Sequence, residues 1–418
     1  MTASDWFLWL GIISLATTAC ALVRIKHLWW FMPLYFFVAW LTGELAVFHI
    51  AWQAVASILL IYGGALGSAN GVAGLALCLL SWAGLYYFHR QGVASARPLK
   101  DALLPVLGPD YRARVAAAGR PLLPETASAA DWRRPFAMSR PGVERVRDLA
   151  YGDAGVRNHL DIYHPHDHGG NCPVLLQIHG GGWTIGSKDQ QALPLMNHLA
   201  SRGWICVSVN YQLSPGVKLP QHLIDIKRAL AWVRENIEKY GGNPDFIVTT
   251  GGSAGGHLCS LLALTANQPR WQAGFEQADT SVAGCVPFYG VYDLLDRHGL
   301  RGISSMTGFL EGNIMPTSPN TDPEIWDALS PIVQVHPDAP PFFVIAGTHD
   351  SLVFAEEARH FAETLRKASR QPVAYAELPL AQHAFDVFHS PRSDNTVFAV
   401  TRYVETLYAD YLGRTGAG

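Results

Sequence analysis

A chain of 418 residues with 49% hydrophobic residues, 16% charged residues and a formal net charge of −3 is long enough for one large domain or two ordinary ones. It is too apolar for a disordered tail, and its balance of charge excludes a general nucleic-acid binder. The charge is unevenly spread: residues 1–88 hold only Asp5, Arg24, Lys26 and Glu44, so one end is built for a different solvent.

Residues Trp6–Val23 form an uncharged run of the length that spans a bilayer core. Ala19-Cys20-Ala21 mimics a signal cleavage site. Against cleavage, the preceding segment carries Asp5 and no Lys or Arg, Thr17 stands where a lipoprotein signal needs Leu, and more apolar sequence follows. After Arg24-Ile-Lys26-His27 the chain runs apolar from Leu28 to Phe88, broken at Gly43-Glu44, Gly63-Gly64 and Gly67–Gly71. Hydropathy places spans near 28–42, 45–67 and 71–88, giving four. Arg24 and Lys26 belong on the cytoplasmic side, as do Arg90, Arg97 and Lys100, which requires an even number of crossings between the two groups. One kinked helix over 33–64 meets that requirement with three spans. The expectation is therefore an integral cell-membrane segment of three or four helices over 1–90, able to pair with a copy of itself as a homo-oligomer, with the rest of the chain cytoplasmic. Glu44, His49 and Gln53 are read as lying near a span end or facing a helix partner. No inverted repeat suggests a transporter.

Residues 91–142 are rich in Pro, Ala and Arg and read as a linker. Within them Leu99–Ala118 forms an amphipathic helix that lies on the membrane, lies over the following site, or simply packs. From Val143 onward, short β-rich runs alternate with helical patterns. Strands are predicted at 143–150, 158–163, 174–179, 204–210, 246–251, 282–289, 341–346 and 373–378. Helices are predicted at 190–202, 222–240, 254–267, 353–369 and 395–412. This alternation predicts one α/β domain over 143–418, with a mostly parallel sheet wrapped by helices. The six cysteines (Cys20, Cys78, Cys172, Cys206, Cys259, Cys285) show no C-x-x-C pair and read as small buried hydrophobes.

Gly251-Gly-Ser253-Ala-Gly255 is a G-x-S-x-G between a predicted strand and a predicted helix, the context of a nucleophile elbow. About seventy residues upstream a strand ends in His179-Gly-Gly-Gly-Trp183. The backbone N–H groups of Gly180, Gly181 and Gly182, together with that of Ala254, make a candidate oxyanion hole, while His179 is read as ordering the loop. A serine nucleophile needs a base, and the base needs an orienting carboxylate, in the chain order Ser, Asp, His for this architecture. Asp350 and His383 follow successive predicted strands and supply that order. Rivals are His349, which as the neighbour of Asp350 cannot take its orienting bond and also reach the serine without strain, and His257, His389, Glu356, Glu357 and Asp386, which helix faces or loop surfaces explain. His164-Pro-His166-Asp-His168 carries metal-ligand chemistry but reads as a polar loop, so no metal and no cofactor is expected. Met306, Phe309 and Leu310, within 293–335, are read as packing or as a lid lining an acyl pocket.

His179-Gly-Gly-Gly-Trp183, Tyr211-Gln-Leu-Ser-Pro215, Gly251-Gly-Ser-Ala-Gly-Gly-His257, Asp350-Ser-Leu352 and His383-Ala-Phe385 together resemble the hormone-sensitive-lipase-like branch of the α/β-hydrolase carboxylesterases. In particular they resemble actinobacterial lipase/esterase proteins with an extended N-terminus. The resemblance covers roughly 143–412 and implies an α/β-hydrolase fold and a serine esterase or lipase acting on small acyl-ester or lipid-like substrates. It implies Ser253, Asp350 and His383 as triad, and Gly181, Gly182 and Ala254 as oxyanion donors, with Gly180 secondary. Gln212 departs from the family's usual Arg after Tyr. An amide or acetyl hydrolase of the arylacetamide-deacetylase type and a prenylcysteine methylesterase use the same residues and stand as alternatives; a non-catalytic tethered binding module is a third.

Overall fold

A computed structural model describes residues 1–25, 31–167, 169–301 and 304–416. Lys26 and His27, part of the expected cytoplasmic flank, and His168 lie outside the described residues.

All eight predicted strands form: β1 Val143–Ala150, β2 His159–Pro165, β3 Cys172–Ile178, β4 Ile205–Val209, β5 Gly242–Gly252, β6 Gly284–Phe288, β7 Phe342–Gly347 and β8 Val373–Leu378. They make one sheet in the order β1-β2-β4-β3-β5-β6-β7-β8, with β2 antiparallel to both its neighbours β1 and β4 and every other pair parallel. The central strands β3 and β4 are buried along their whole length, which is why they read as continuous apolar runs rather than alternating ones. The fold is that of an α/β hydrolase.

The described helices are, in chain order, α1 Ala3–Leu22, α2 Met32–Glu44, α3 Ala46–Tyr62, α4 Ala69–Ala94, α5 Ala96–Leu107, α6 Tyr111–Ala117, α7 Ala129–Trp132, α8 Leu193–Ala200, α9 Gln221–Asn236, α10 Ala254–Leu264, α11 Ser304–Phe309, α12 Pro323–Ala328, α13 Ala355–Ala368 and α14 Pro391–Thr415. Val174, Leu176 and Ile178 of β3 pack with α9, α10 and α13 on one face of the sheet; Leu175 packs with α5, α8 and α14 on the other. The chain crosses between faces after β4, so β3 and β5 lie side by side although β4 separates them in sequence. Ligand crevices form at such a switch point, and here Ile178 pairs with Gly251 at the C-terminal ends.

The expected helix over Leu99–Ala118 splits into α5 and α6, and its apolar stripe faces inward. Leu99, Leu103 and Leu107 are buried with the sheet domain's own core residues, so the helix packs on the sheet domain.

The N-terminal helices have a readable order. Ser4 Oγ donates to Ala65 O at 2.7 Å, Asn70 Nδ2 donates to Asp5 at 3.0 Å, and Thr18 Oγ1 lies 2.9 Å from Ser81 Oγ, so α1 and α4 run parallel. A side chain at Gly11 would strike the Gly74 carbonyl, so small residues are what permit this approach. The end of α1 meets the sheet domain: Arg24 makes a two-bond pair with Glu356, at 3.0 and 2.9 Å, and Leu22 O sits 3.2 Å from His349 Nε2.

Helix α2 lies across the sheet domain rather than away from it. Met32 lines a cavity there, Phe36 stands edge-on to His383 with ring centroids 6.2 Å apart, Trp40 meets Phe388 at 5.3 Å, and Glu44 accepts from Ser390 Oγ at 2.7 Å and pairs with Arg392. The chain then bends by 85° into α3. Helix α3 runs back to Gly63, close to Ala3 at the start of α1. Among the described residues, α1 and Ala69–Leu107 are each long and apolar enough to cross a membrane, and α2 with α3 adds a third only as a bent pair. Among the described residues four separate spans do not stand out by length and composition, and residues 28–30, the start of the expected span 28–42, lie outside them. Glu44, with the ring contacts of Phe36 and Trp40, holds the 13 residues of α2 against the sheet domain, a long-range tie that hydropathy does not register.

Candidate active site

Strand β5 passes into α10 through the single residue Ser253, at φ +58° and ψ −121°. This backbone conformation is sparsely populated for a side-chain-bearing residue and costs on the order of 1–3 kcal/mol. It is held by its surroundings: Ser253 N–H donates to Phe288 O at 3.0 Å on β6. A Cβ at Gly251 would run into the Gly255 backbone, and one at Gly255 into Ile178 O, so both glycines are required by close approach.

The loop after β3 comes up against this turn, and a Cβ at Gly180 would lie 3.2 Å from Ser253 Cβ. Gly180 N–H donates to Gln191 Oε1 at 2.7 Å and is thereby already engaged. Among the described residues the N–H groups of Gly181 and Gly182 donate to no protein acceptor. Ala254 opens α10, so its N–H has no partner within the helix. Gly181 and Gly182 sit at φ +115° and +58°, where a glycine bears no penalty.

His179 is buried beneath this loop, stacked on Tyr211 with ring centroids 4.4 Å apart, and its Nδ1 lies 2.8 Å from Gly180 O. Burial pushes its pKa down to about 4, so at neutral pH the ring is uncharged and braces the loop. Tyr211 O–H adds a bond to His179 O at 3.0 Å.

On the other side, Asp350 follows β7 and His383 follows β8. His383 Nδ1 lies 2.7 Å from Asp350 Oδ2, while Asp350 Oδ1 accepts from Leu352 N and Val353 N, both at 2.8 Å. The carboxylate is fully buried and takes part in all three of these bonds, which fixes the imidazole's orientation and leaves Nε2 as the ring nitrogen not turned to Asp350. Ser253 opens into a cavity of about 540 Å³ whose wall is mostly apolar, including Trp183, Val291, Met306, Phe309, Leu352 and Phe354. That size fits a small ligand.

A family model described as BD-FAE matches residues 160–365. Over 341 residues the chain is 46% identical to the probable carboxylic ester hydrolase LipM of Mycobacterium tuberculosis, covering 78% of this chain and 76% of that protein. It is 43% identical over 325 residues to esterase LipQ of the same organism, covering 75% of each. The chain belongs to the hormone-sensitive-lipase-like carboxylesterases. Esterase B of Lactobacillus rhamnosis, at 23% identity and a TM-score of 0.58 over 73% of this chain and 96% of that one, shares the fold.

The rival residues of this carboxylesterase have structural partners. His257 Nε2 lies 2.9 Å from Leu329 O, and burial lowers its pKa to about 4. His389 pairs with Asp394 at 2.7 Å, Glu357 with Arg301 at 2.8 Å, and Asp386 accepts from Tyr289 O–H. His166 lies 2.6 Å from Glu144, and no group of three or more metal-ligating side chains comes together among the described residues. Gln212, where the family usually has arginine, meets Asp225: its N–H and side-chain amide reach that carboxylate at 2.9 and 3.3 Å.

Sequence reasoning missed four contributors. Gln191 orders the glycine loop. Gln382 Oε1 accepts from Ser351 N–H, Ser351 O–H and His383 N–H at 2.8, 3.1 and 2.9 Å, tying the two loops that carry Asp350 and His383. Its place next to His383 was the one available signal. Met32 and Pro33 line the cavity from α2, and nothing local marks them.

Proposed function

We propose that the esterase is membrane-anchored and hydrolyses acyl esters through Ser253, His383 and Asp350 by way of an acyl-enzyme. Ser253 Oγ attacks the ester carbonyl carbon while its proton passes to His383 Nε2; Asp350 holds the imidazolium that results. The N–H groups of Gly181, Gly182 and Ala254 receive the oxyanion, with Gly180 left to its bond with Gln191. Collapse breaks the C–O bond and the alcohol leaves with the proton from His383. Water, deprotonated by the same nitrogen, then releases the acid and restores the serine. No cofactor enters these steps.

The observation that carries this reading is the strained Ser253 turn opening into a cavity beside the buried Asp350–His383 pair. In the proposed organisation, residues 1–90 anchor the chain, 91–142 pack as a connecting shell, and 143–418 form the catalytic domain. Helices α1, α3 and α4 cross the bilayer, and α2 lies along its surface. Two crossings then separate Arg24 from Arg90, which puts both on the sheet domain's side and that side in the cytoplasm.

Ser253→Ala is expected to lower p-nitrophenyl ester hydrolysis by about 10⁴-fold or more and to abolish labelling by a fluorophosphonate probe. Undiminished turnover in that variant would reject the mechanism.

A further inference from the structure

The cavity at Ser253 is not enclosed by the sheet domain alone. Part of its wall is Met32 and Pro33, the first turn of α2. Met32 is buried in a cluster with Tyr35, Ala39 and Leu352, and Leu352 also lines the cavity. The opposite side of α2 presents Leu34, Phe37 and Leu41, all exposed and all apolar, at the three- and four-residue spacing of one helical stripe. One helix thus separates the acyl cavity from an outer surface suited to hydrocarbon, and α3 departs from its far end.

We infer that α2 is the membrane-side wall of the acyl-binding cavity, that Met32 sets the length of acyl chain accepted, and that the substrate is an ester whose acyl chain resides in the bilayer. This rests on the proposed role of Ser253. An acyl chain already in the lipid reaches the serine along α2 without crossing water, so it keeps its apolar surface covered throughout. Arg301, which also lines the cavity, has its charge answered by Glu357 at 2.8 Å and offers no free cation to an acidic substrate.

The test uses the full chain in phosphatidylcholine vesicles with p-nitrophenyl esters from acetate to dodecanoate. Met32→Trp is expected to raise the butyrate-to-decanoate ratio of kcat/KM tenfold or more, and Met32→Ala to lower it. Leu34→Trp, on the outer stripe, should leave the ratio unchanged. Decanoate turnover by the wild type should fall as phospholipid dilutes the ester within the enzyme's own vesicles at fixed total ester. An unmoved ratio in both Met32 variants, or a rate that follows aqueous ester concentration alone, would overturn the inference. Ester turnover that persists in Ser253→Ala would instead remove the reading beneath it, so the two failures are told apart.

Discussion

The sheet domain and the N-terminal helices invert one another. Inside the sheet domain lie Leu176, Val207, Ile345 and their neighbours, and its surface carries the charge. Inside the helical segment lie Ser14, Thr18, Gln53, Ser57 and Ser81, while Trp9, Leu59 and Leu80 face outward. Gln53 Oε1 accepts from both Ser81 O–H and Trp82 N–H, at 3.2 and 3.0 Å, so side-chain hydrogen bonds join α3 to α4, where apolar burial joins the helices of the sheet domain to the sheet's two faces. With the helices anchored in a bilayer as proposed, the contrast is what two solvents would impose: water drives apolar groups inward, whereas in hydrocarbon only close packing and polar bonds favour helix association.

The largest expected effect lies where the two regions meet. Glu44 and Arg392 are both buried and paired, with Arg392 also over the Phe88 ring at 4.8 Å and donating to Pro379 O at 2.9 Å. Glu44→Ala strands that guanidinium and should destabilise the detergent-purified protein by about 3–5 kcal/mol, read as a lower melting temperature. An unchanged melt would mean the helices are not fastened to the sheet domain there.

A smaller effect separates the regions by pH. Lys227 on α9 is buried, donating to Thr265 O at 2.6 Å and Thr280 Oγ1 at 3.1 Å, and burial pushes its ammonium down to about 7. The unfolded lysine titrates near 10.4, so between these values the unfolded state binds more protons and stability rises with pH. From pH 7 to 9 the gain is up to about 2 kcal/mol, measurable as a shift in urea midpoint. Lys227→Met should flatten that rise; a rise of the same size in the variant would assign it to another group.

The smallest effect should come from truncating an outward leucine. Leu59→Ala is expected to change stability in detergent by less than about 0.5 kcal/mol. The same truncation at Leu176, in the sheet, should cost about 2–5 kcal/mol. Equal costs would erase the inversion.

Much of the sheet domain was legible because its signals are local. Alternating β-rich and helical runs placed eight strands, and the glycines around Ser253 marked a tight turn by their spacing alone, although part of what crowds them, Ile178 O, lies on another strand. The Gly180 amide was less legible, since its engagement depends on Gln191, in a loop with no regular pattern. The helical segment was legible in composition but not in arrangement. Hydropathy reads 28–42 as a span because it cannot see Arg392, 348 residues beyond Glu44, drawing the end of α2 onto the sheet domain. Met32 and Pro33 were invisible as cavity residues for the same reason.

The seating of α2 has a consequence for any attempt to trim the protein. Cutting before residue 91 to obtain a water-soluble fragment would remove one side of the cavity at Ser253, uncover Leu352 and Phe388, and leave Arg392 without its counter-ion. Such a fragment would be a different catalyst rather than a smaller one. Across descendants of this gene, positions 44 and 392 should drift only in concert.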